Sequence, residues 1–457
     1  MNKKLYKIIN KWTNKINHKN INCFFYLLKL VVIFFLLILV ILILLFNRIN
    51  VLKDNLDDNL IKVGYYCRSI KYGGVERVMS IIINYLSKEN IFSQYLITKS
   101  DILEGEYPIP NTTKRIRLVG KRTSLFEAIK KYNIDILIYN FYEKREIRKL
   151  NKLSKVKVIY YDHSSFLYWI YLKVYKFEES IYYEYKKCHY VISLIPVEND
   201  YLFKKWGINS ILMHNPTSFE YDSVIPSDLS FKNIIMIGRN DDPIKRFDLG
   251  IKAMKNIIKE ISNCQMNIVS LPIEDYEELI LDLNLEKNVR FVGFHKNVEV
   301  YLRNSSLHIL PSLSESYSLA LSEAKIFGIP SIICGLDYLA LAKKGTVIIY
   351  DDDPDTIAKE SIKILKNDKY RKRLGNEARK SMEKFKNRLI AKKWVKLLLA
   401  VYKGDEKLFK ELLSENENKI NDSEANEILN NQLKLLQKRN TFFNQTTLNQ
   451  LELFSFY

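Results

Sequence analysis

The stretch Pro311–Ser331, P-S-L-S-E-S-Y-S-L-A-L-S-E-A-K-I-F-G-I-P-S, decides the fold. An apolar run, Leu307–Leu310, ends at its proline, a polar loop carries Glu315, and a helical pattern carrying Glu323 stops at Gly328 and Pro330. The order is strand, loop, helix. The first turn of such a helix presents unpaired amides and the positive end of its dipole beside Ser314, Tyr317 and Ser318, a setting suited to phosphate. About two helical turns between Glu315 and Glu323 would set the carboxylates roughly 10 to 12 Å apart. A nucleotide-sugar has that reach, with phosphates at the helix start, sugar at the first glutamate and ribose diol at the second. Two glutamates at this spacing, taken alone, are more often solvated surface charge.

Outward from this unit the chain alternates strands with helices. Candidate strands in the first half are 62–67, 94–98, 134–139, 156–161, 190–194 and 210–214. After the polar stretch Pro226–Ser230 a second series runs 233–237, 265–269, 289–291, 307–310, 331–334 and 346–350. Between the first two strands, Val75, Val78, Met79, Ile82, Ile83 and Leu86 form one helical stripe. Such alternation predicts parallel sheets with helices on both faces, in two doubly wound, Rossmann-type α/β domains, with a ligand cleft at the carboxyl ends of the strands.

Three further constellations fall at such strand ends. Gly73 and Gly74 open the first helix in a loop where a backbone can pass close to a ligand, although a lone Gly-Gly is more often a tight turn. Arg239 and Lys245, six residues apart after the strand ending at Ile237, would clamp a diphosphate and neutralise charge on a leaving group. His163 follows the strand V-I-Y-Y; its neighbour Asp162 points to the opposite face of an extended chain, so no dyad is assumed. The acidic run Asp351–Asp353 precedes Pro354 and reads as a helix N-terminus rather than a metal site.

Together, P-S-x-x-E-S-Y-S, S-E-A and G-x-P resemble the E-x7-E signature of the retaining glycosyltransferases of the GT-B group that includes family 4. That family more often has Phe-Gly where this chain has Tyr317-Ser318. The loop G-G-x-E-R resembles the family's first-domain loop, and Arg239 and Lys245 match its G-R-x5-K-G, with Arg246 where glycine is usual. The resemblance covers roughly residues 62 to 400. It implies two Rossmann-like domains facing across a cleft, 62–228 for the acceptor and 229–402 for the nucleotide-sugar donor. It also implies catalytic contacts from Glu315 and His163 to the sugar, and donor binding by Arg239, Lys245, Glu323, Ser316, Tyr317 and Ser318. No metal or cofactor is expected beyond the nucleotide-sugar co-substrate. The implied reaction is hexosyl transfer with retention, to a lipid-linked or cell-surface glycan, by front-face displacement in which the donor phosphate helps deprotonate the acceptor. The competing readings are a nucleotide-sugar hydrolase or epimerase of the same fold, and a non-catalytic, membrane-tethered scaffold. The presence together of Arg239, Lys245, Glu315 and Glu323 counts against the scaffold.

The rest of the chain bounds location and partners. The formal charge of +19 over 457 residues invites a nucleic-acid reading, but residues 1–53 hold nine lysines or arginines and no acid, which leaves +10 for everything after them. No nucleic-acid-binding motif accompanies that charge, and an anionic membrane face is the better partner. After the basic segment 1–22, residues 23–46 are almost entirely apolar apart from Lys29 and read as one transmembrane helix, followed by a linker, 47–61. The lysines before it place the N-terminus in the cytosol and the rest outside. A nucleotide-sugar donor and five scattered cysteines, Cys23, Cys67, Cys188, Cys264 and Cys334, favour a cytosolic catalytic part, or a secretory lumen in a eukaryote. We expect the cytosolic side. Residues 403–457, rich in Asn, Gln, Lys and Glu, read as a helical or partly disordered tail.

Overall fold

The computed structural model describes Phe34, Ile38 and residues 60–439, apart from 72, 119–123, 141–148, 151, 153–154, 165–184, 187, 240–243, 294–297 and 415–419. The expected transmembrane helix therefore lies outside the described residues, except for Phe34 and Ile38, which are helical and exposed. No helix among the described residues is long and apolar enough to cross a membrane.

From Ile61 onward the chain builds two wholly parallel sheets. The first holds β1 (Ile61–Cys67), β2 (Phe92–Thr98), β3 (Lys114–Arg117), β4 (Ile136–Tyr139), β5 (Lys157–Tyr161), β6 (Tyr190–Ser193) and β7 (Ser210–Leu212), in the order β3-β2-β1-β4-β5-β6-β7. The second holds β8 (Asn233–Ile237), β9 (Gln265–Val269), β10 (Val289–Phe291), β11 (Leu307–Leu310), β12 (Ser331–Cys334) and β13 (Thr346–Ile349), in the order β10-β9-β8-β11-β12-β13. Every residue of β1, β2, β4, β11 and β12 is buried, as strands covered on both faces require. In each sheet the order reverses beside the first strand, between β1 and β4 and between β8 and β11. Doubly wound sheets open a ligand crevice at that point.

One strand escaped the sequence reading. β3, Lys-Arg-Ile-Arg, has a single apolar residue and lies at the sheet edge, where charged side chains deter pairing with another chain. Its pattern carries no hydrophobic alternation to detect.

The first helix, α1 (Gly74–Leu86), buries the predicted stripe of Val78, Met79, Ile82, Ile83 and Leu86. Opposite it in the second half stands α2 (Leu319–Ile326), which opens the unit with which the sequence reading began. The long helix α3 (Asn387–Lys403) returns to the first sheet. Trp394, fully buried, meets Tyr161 edge-on at 5.2 Å, and Lys393 Nζ donates to the Leu212 carbonyl at 2.9 Å. Where the chain crosses between the sheets, Asn387 and Thr217 exchange two 2.9 Å hydrogen bonds, from the Thr217 amide to Asn387 Oδ1 and from Asn387 Nδ2 to the Thr217 carbonyl. Beyond this the described part of the tail is helical, one of the two forms its composition allowed. Helix α4 (Glu406–Ser414) packs on α3, and α5 (Asp422–Lys438) lies along the second sheet's loops. Residues 440–457 lie outside the described residues.

The seat of α2 depends on a close backbone approach. Gly328, just after α2, meets Gly375 of the helix Asp368–Ser381, where an added Cβ would lie 2.3 Å from the Gly328 carbonyl oxygen. Gly375→Ala should therefore force the two segments apart and destabilise the fold by about 1–3 kcal/mol, read as a lower urea midpoint at unchanged slope. An unchanged midpoint would show that the two segments separate at no cost.

Candidate active site

The site grows from the two adjacent strand ends at the second sheet's crossover point. β8 ends at Ile237 and runs into Gly238, where a Cβ would crowd Lys245 Cγ and Cδ and Phe247 Cζ, each at 3.2 Å. A glycine here lets the Lys245 stem lie across the strand end toward β11. Lys245 Nζ reaches Glu315 Oε1 at 2.7 Å, with the side chains 20% and 10% exposed. Ser312 donates its hydroxyl to the same oxygen at 2.9 Å, and the Glu315 amide donates to the Tyr338 hydroxyl at 3.0 Å. Head group and backbone of Glu315 are thus both held.

Two positions where the resembling family has glycine are occupied here by larger residues, and both take positive φ. Ser318 has φ 64° and Arg246 has φ 49°. Ser318 accepts the Leu321 amide at 3.3 Å and so caps α2. Arg246 donates from Nε to the Pro311 carbonyl at 2.7 Å and from Nη1 to Asp352 at 2.6 Å. Asp352 in turn receives two bonds from Arg439. Burial pushes the Asp352 carboxyl up, but the Arg439 and Arg246 guanidiniums outweigh it and hold the group below its usual range. Within the expected acidic helix start, Asp353 does cap the following helix, accepting the Asp355 and Thr356 amides, while Asp352 has this separate ion-pair role. Tyr317 is buried with its ring 5.9 Å from His214, and its hydroxyl has no hydrogen-bond partner among the described residues. Ser316 is half-buried in the same loop.

Because α2 begins only at Leu319, Glu323 sits little more than one turn into it, so the two-turn estimate from Glu315 does not hold. Glu323 is fully buried, and Arg77 Nη1, from the opposite half, lies 3.2 Å from its Oε1. Burial pushes the Glu323 carboxyl up, while the Arg77 charge and the Ser218 hydroxyl pull it down.

On the facing wall, Gly73 and Gly74 follow β1, and a Cβ on Gly74 would lie 3.5 Å from Leu319 Cδ1, so the starts of α1 and α2 face each other closely. The start of α1 is not open to a phosphate. The Glu76 carboxylate folds back over Gly73, where a Cβ would stand 1.6 Å from its Oε2. Burial raises the Glu76 carboxyl, opposed by its own backbone amide and by the charges of Arg239 and Arg68, which brings Arg239 into the same cleft. His163, after β5, places Nε2 3.2 Å from Asn140 Oδ1, and its ring meets that of Tyr161 at 4.0 Å between centroids, tilted by 46°. Since Asn140 Nδ2 donates to the Tyr66 carbonyl, its oxygen is the acceptor for His163, which assigns the proton to Nε2 and leaves Nδ1 as an acceptor. Burial pushes the imidazole down to about 3, so it is neutral at physiological pH. Asp162 turns the other way, accepting the Ser164 amide and the Tyr185 hydroxyl, each at 2.9 Å, and burial raises it to about 6.

Four further residues here were given no role from the sequence, although Ser312 lies within the P-S-x-x-E motif. Tyr107 feels the charges of Arg77, Glu76 and Glu323, and Tyr338, Ser312 and Asn140 hold the named groups in place. Only Asn140, directly after β4, could have been found as a strand-end residue.

The two left-handed residues should respond oppositely to glycine. Ser318→Gly relieves strain of about 1 kcal/mol and loses a few tenths of that with the cap, so thermal stability should hold or rise. Arg246→Gly also removes charged hydrogen bonds and should lower stability by about 1–2 kcal/mol. Equal shifts of melting temperature in both variants would contradict this account.

Residues 219–381 match the family model described as glycosyl transferases group 1. The chain is 23% identical, over 75% of its length and 99% of the relative's, to the Campylobacter jejuni GalNAc-alpha-(1->4)-GalNAc-alpha-(1->3)-diNAcBac-PP-undecaprenol alpha-1,4-N-acetyl-D-galactosaminyltransferase. Among solved structures it is similar to a sucrose-phosphate synthase from Thermosynechococcus elongatus, with TM-score 0.60 and 16% identity over 77% of this chain and 99% of that one. It is equally similar, at TM-score 0.60 and 14% identity over 74% of this chain and all of the other, to Staphylococcus aureus TarM in complex with Fondaparinux, alpha-GlcNAc-glycerol and UDP. The chain from Ile61 thus has the GT-B fold of these enzymes, and residues 219–381 form a group 1 glycosyltransferase domain.

Proposed function

We propose that this glycosyltransferase moves a hexosyl unit, with retention at the anomeric carbon, from a nucleotide-sugar to a lipid-linked or cell-surface glycan. The observation that carries the proposal is the Lys245–Glu315 pair, set at the crossover point of the second sheet, with the start of α1 close to Leu319 at the start of α2. In this reading Arg239 and Lys245 take the charge that develops on the departing diphosphate, with no metal ion assigned to that task. Glu315 contacts the transferred sugar, and the ribose diol reaches Glu323 when Arg77 gives way. Ser316, Tyr317 and Ser318 line the donor loop. His163, neutral and with Nδ1 as an acceptor, serves a sugar hydroxyl as a hydrogen-bond partner rather than as a cation. The acceptor hydroxyl loses its proton to the leaving phosphate on the same face, which preserves configuration. The undecaprenol-linked substrate named for the Campylobacter relative supports a lipid-linked acceptor. We further assign residues 23–46 as a membrane anchor that keeps the catalytic part at the cytosolic surface, where donor is made.

Lys245→Ala and Arg239→Ala should each lower turnover by about 10² to 10³ with the fold intact. Glu315→Gln should lose mainly kcat and Glu323→Gln mainly donor affinity. Wild-type transfer by both cation variants would refute the diphosphate site. Nucleotide release should require acceptor, and release without it would show a hydrolase. Removing residues 1–50 should spare transfer to a water-soluble acceptor and reduce transfer to a lipid-linked one in vesicles; equal rates on both would refute the anchor.

A further inference from the structure

The chain beyond α3 has no part in the function proposed above, yet its last described helix is wired into the donor pair along two routes. On the first route Gln432 Nε2 donates to the Gly335 carbonyl at 2.7 Å and to Asp337 Oδ1 at 2.6 Å. Asn431 and Tyr350 donate to Asp337 Oδ2 at 3.1 and 2.9 Å. The next residue, Tyr338, is buried and holds the Glu315 amide through its hydroxyl. On the second route Arg439 grips Asp352 with Nε at 2.7 Å and Nη2 at 2.8 Å. Asp352 holds Arg246, which neighbours Lys245 in sequence and bonds the Pro311 carbonyl, one residue before the Ser312 that donates to Glu315.

We propose that α5, together with Arg439, sets the geometry of the Lys245–Glu315 pair through Asp337–Tyr338 and Asp352–Arg246, which makes Tyr338, Arg246 and Arg439 positioning residues for sugar transfer. The proposal rests on the reading of that pair as the donor site. A helix that merely covered the sheet edge would need apolar contact alone, and Leu435 against Gly335 supplies it, since a Cβ at Gly335 would stand 2.1 Å from Leu435 Cδ2. Gln432 and Arg439 are instead 2% and 7% exposed polar side chains. Burying such groups is costly unless each finds a matched partner in one fixed geometry. Their partners are the two loop residues whose neighbours hold Glu315 and Lys245. Both routes fix backbone rather than substrate, so the helix acts on where the pair stands.

The test compares full-length Arg439→Ala, Arg439→Lys and Tyr338→Phe with Lys245→Ala and with Lys434→Ala, an exposed change on the same helix. Each is assayed for kcat, KM for both substrates and melting temperature. Misplacing a catalytic pair by a fraction of an ångström should cost roughly tenfold in kcat. Arg439→Ala and Tyr338→Phe should each show that loss with the acceptor KM unchanged, Arg439→Lys should recover part of it, and Lys434→Ala should match wild type. Tyr338→Phe keeps the buried ring and should melt with wild type, so its kcat separates positioning from folding. The Arg439→Ala loss should also shrink in a Lys245→Ala background, because it acts through that residue. Wild-type kcat in Tyr338→Phe and Arg439→Ala, with Lys245→Ala lowered as predicted above, would overturn the positioning role alone. Full activity in Lys245→Ala would overturn the donor-site reading and this proposal with it.

Discussion

The ion pair between Lys245 and Glu315 is the contact around which the candidate site is arranged. It joins the loops after β8 and β11, the two strands where the sheet order reverses, and it does so largely out of water. Opposite charges placed there attract more strongly than they would at the surface, provided their remaining hydrogen bonds are met. Ser312 and Tyr338 meet part of that need on the Glu315 side. Gly238 eases a steric conflict on the other, since a Cβ there would stand 3.2 Å from the lysine stem and push it aside by a few tenths of an ångström. The same pair sets a cation and a carboxylate side by side at the crossover point, the feature on which the proposed function rests.

The two halves meet through chemistry rather than shape alone. Arg77 of α1 covers Glu323 of α2, and Glu76 lies over the start of its own helix within the field of Arg239. Under the proposed function a ribose diol would compete with Arg77 for Glu323, which would link donor entry to the relation of the two halves. His163 stands apart from these charges as a neutral imidazole held by Asn140.

The parallel sheets were legible because doubly buried strands leave apolar runs and their loops begin with glycine, proline or charge. Strand ends were legible because a short apolar run closed by glycine, proline or charge marks them: Arg239 follows β8 and Glu315 follows β11, where the sequence had put them. Contacts between distant segments left no such trace. Nothing in the composition of 422–439 marks Gln432 or Arg439 as buried, and the polar character that left a helical or partly disordered tail open is what pairs it with Asp337 and Asp352. The helix start beside Ser318 was legible, but the two-turn estimate counted as helical the residues 316–318, which are loop and cap, with Ser318 at positive φ.

A crystal structure with a bound nucleoside diphosphate, UDP and GDP being tried in turn, tests the central claim most directly. The account predicts the diphosphate against Lys245 and Arg239 and the ribose diol on Glu323, with the Arg77 guanidinium displaced. A nucleotide bound elsewhere, with Lys245 still closed on Glu315 and Arg77 still on Glu323, would contradict it.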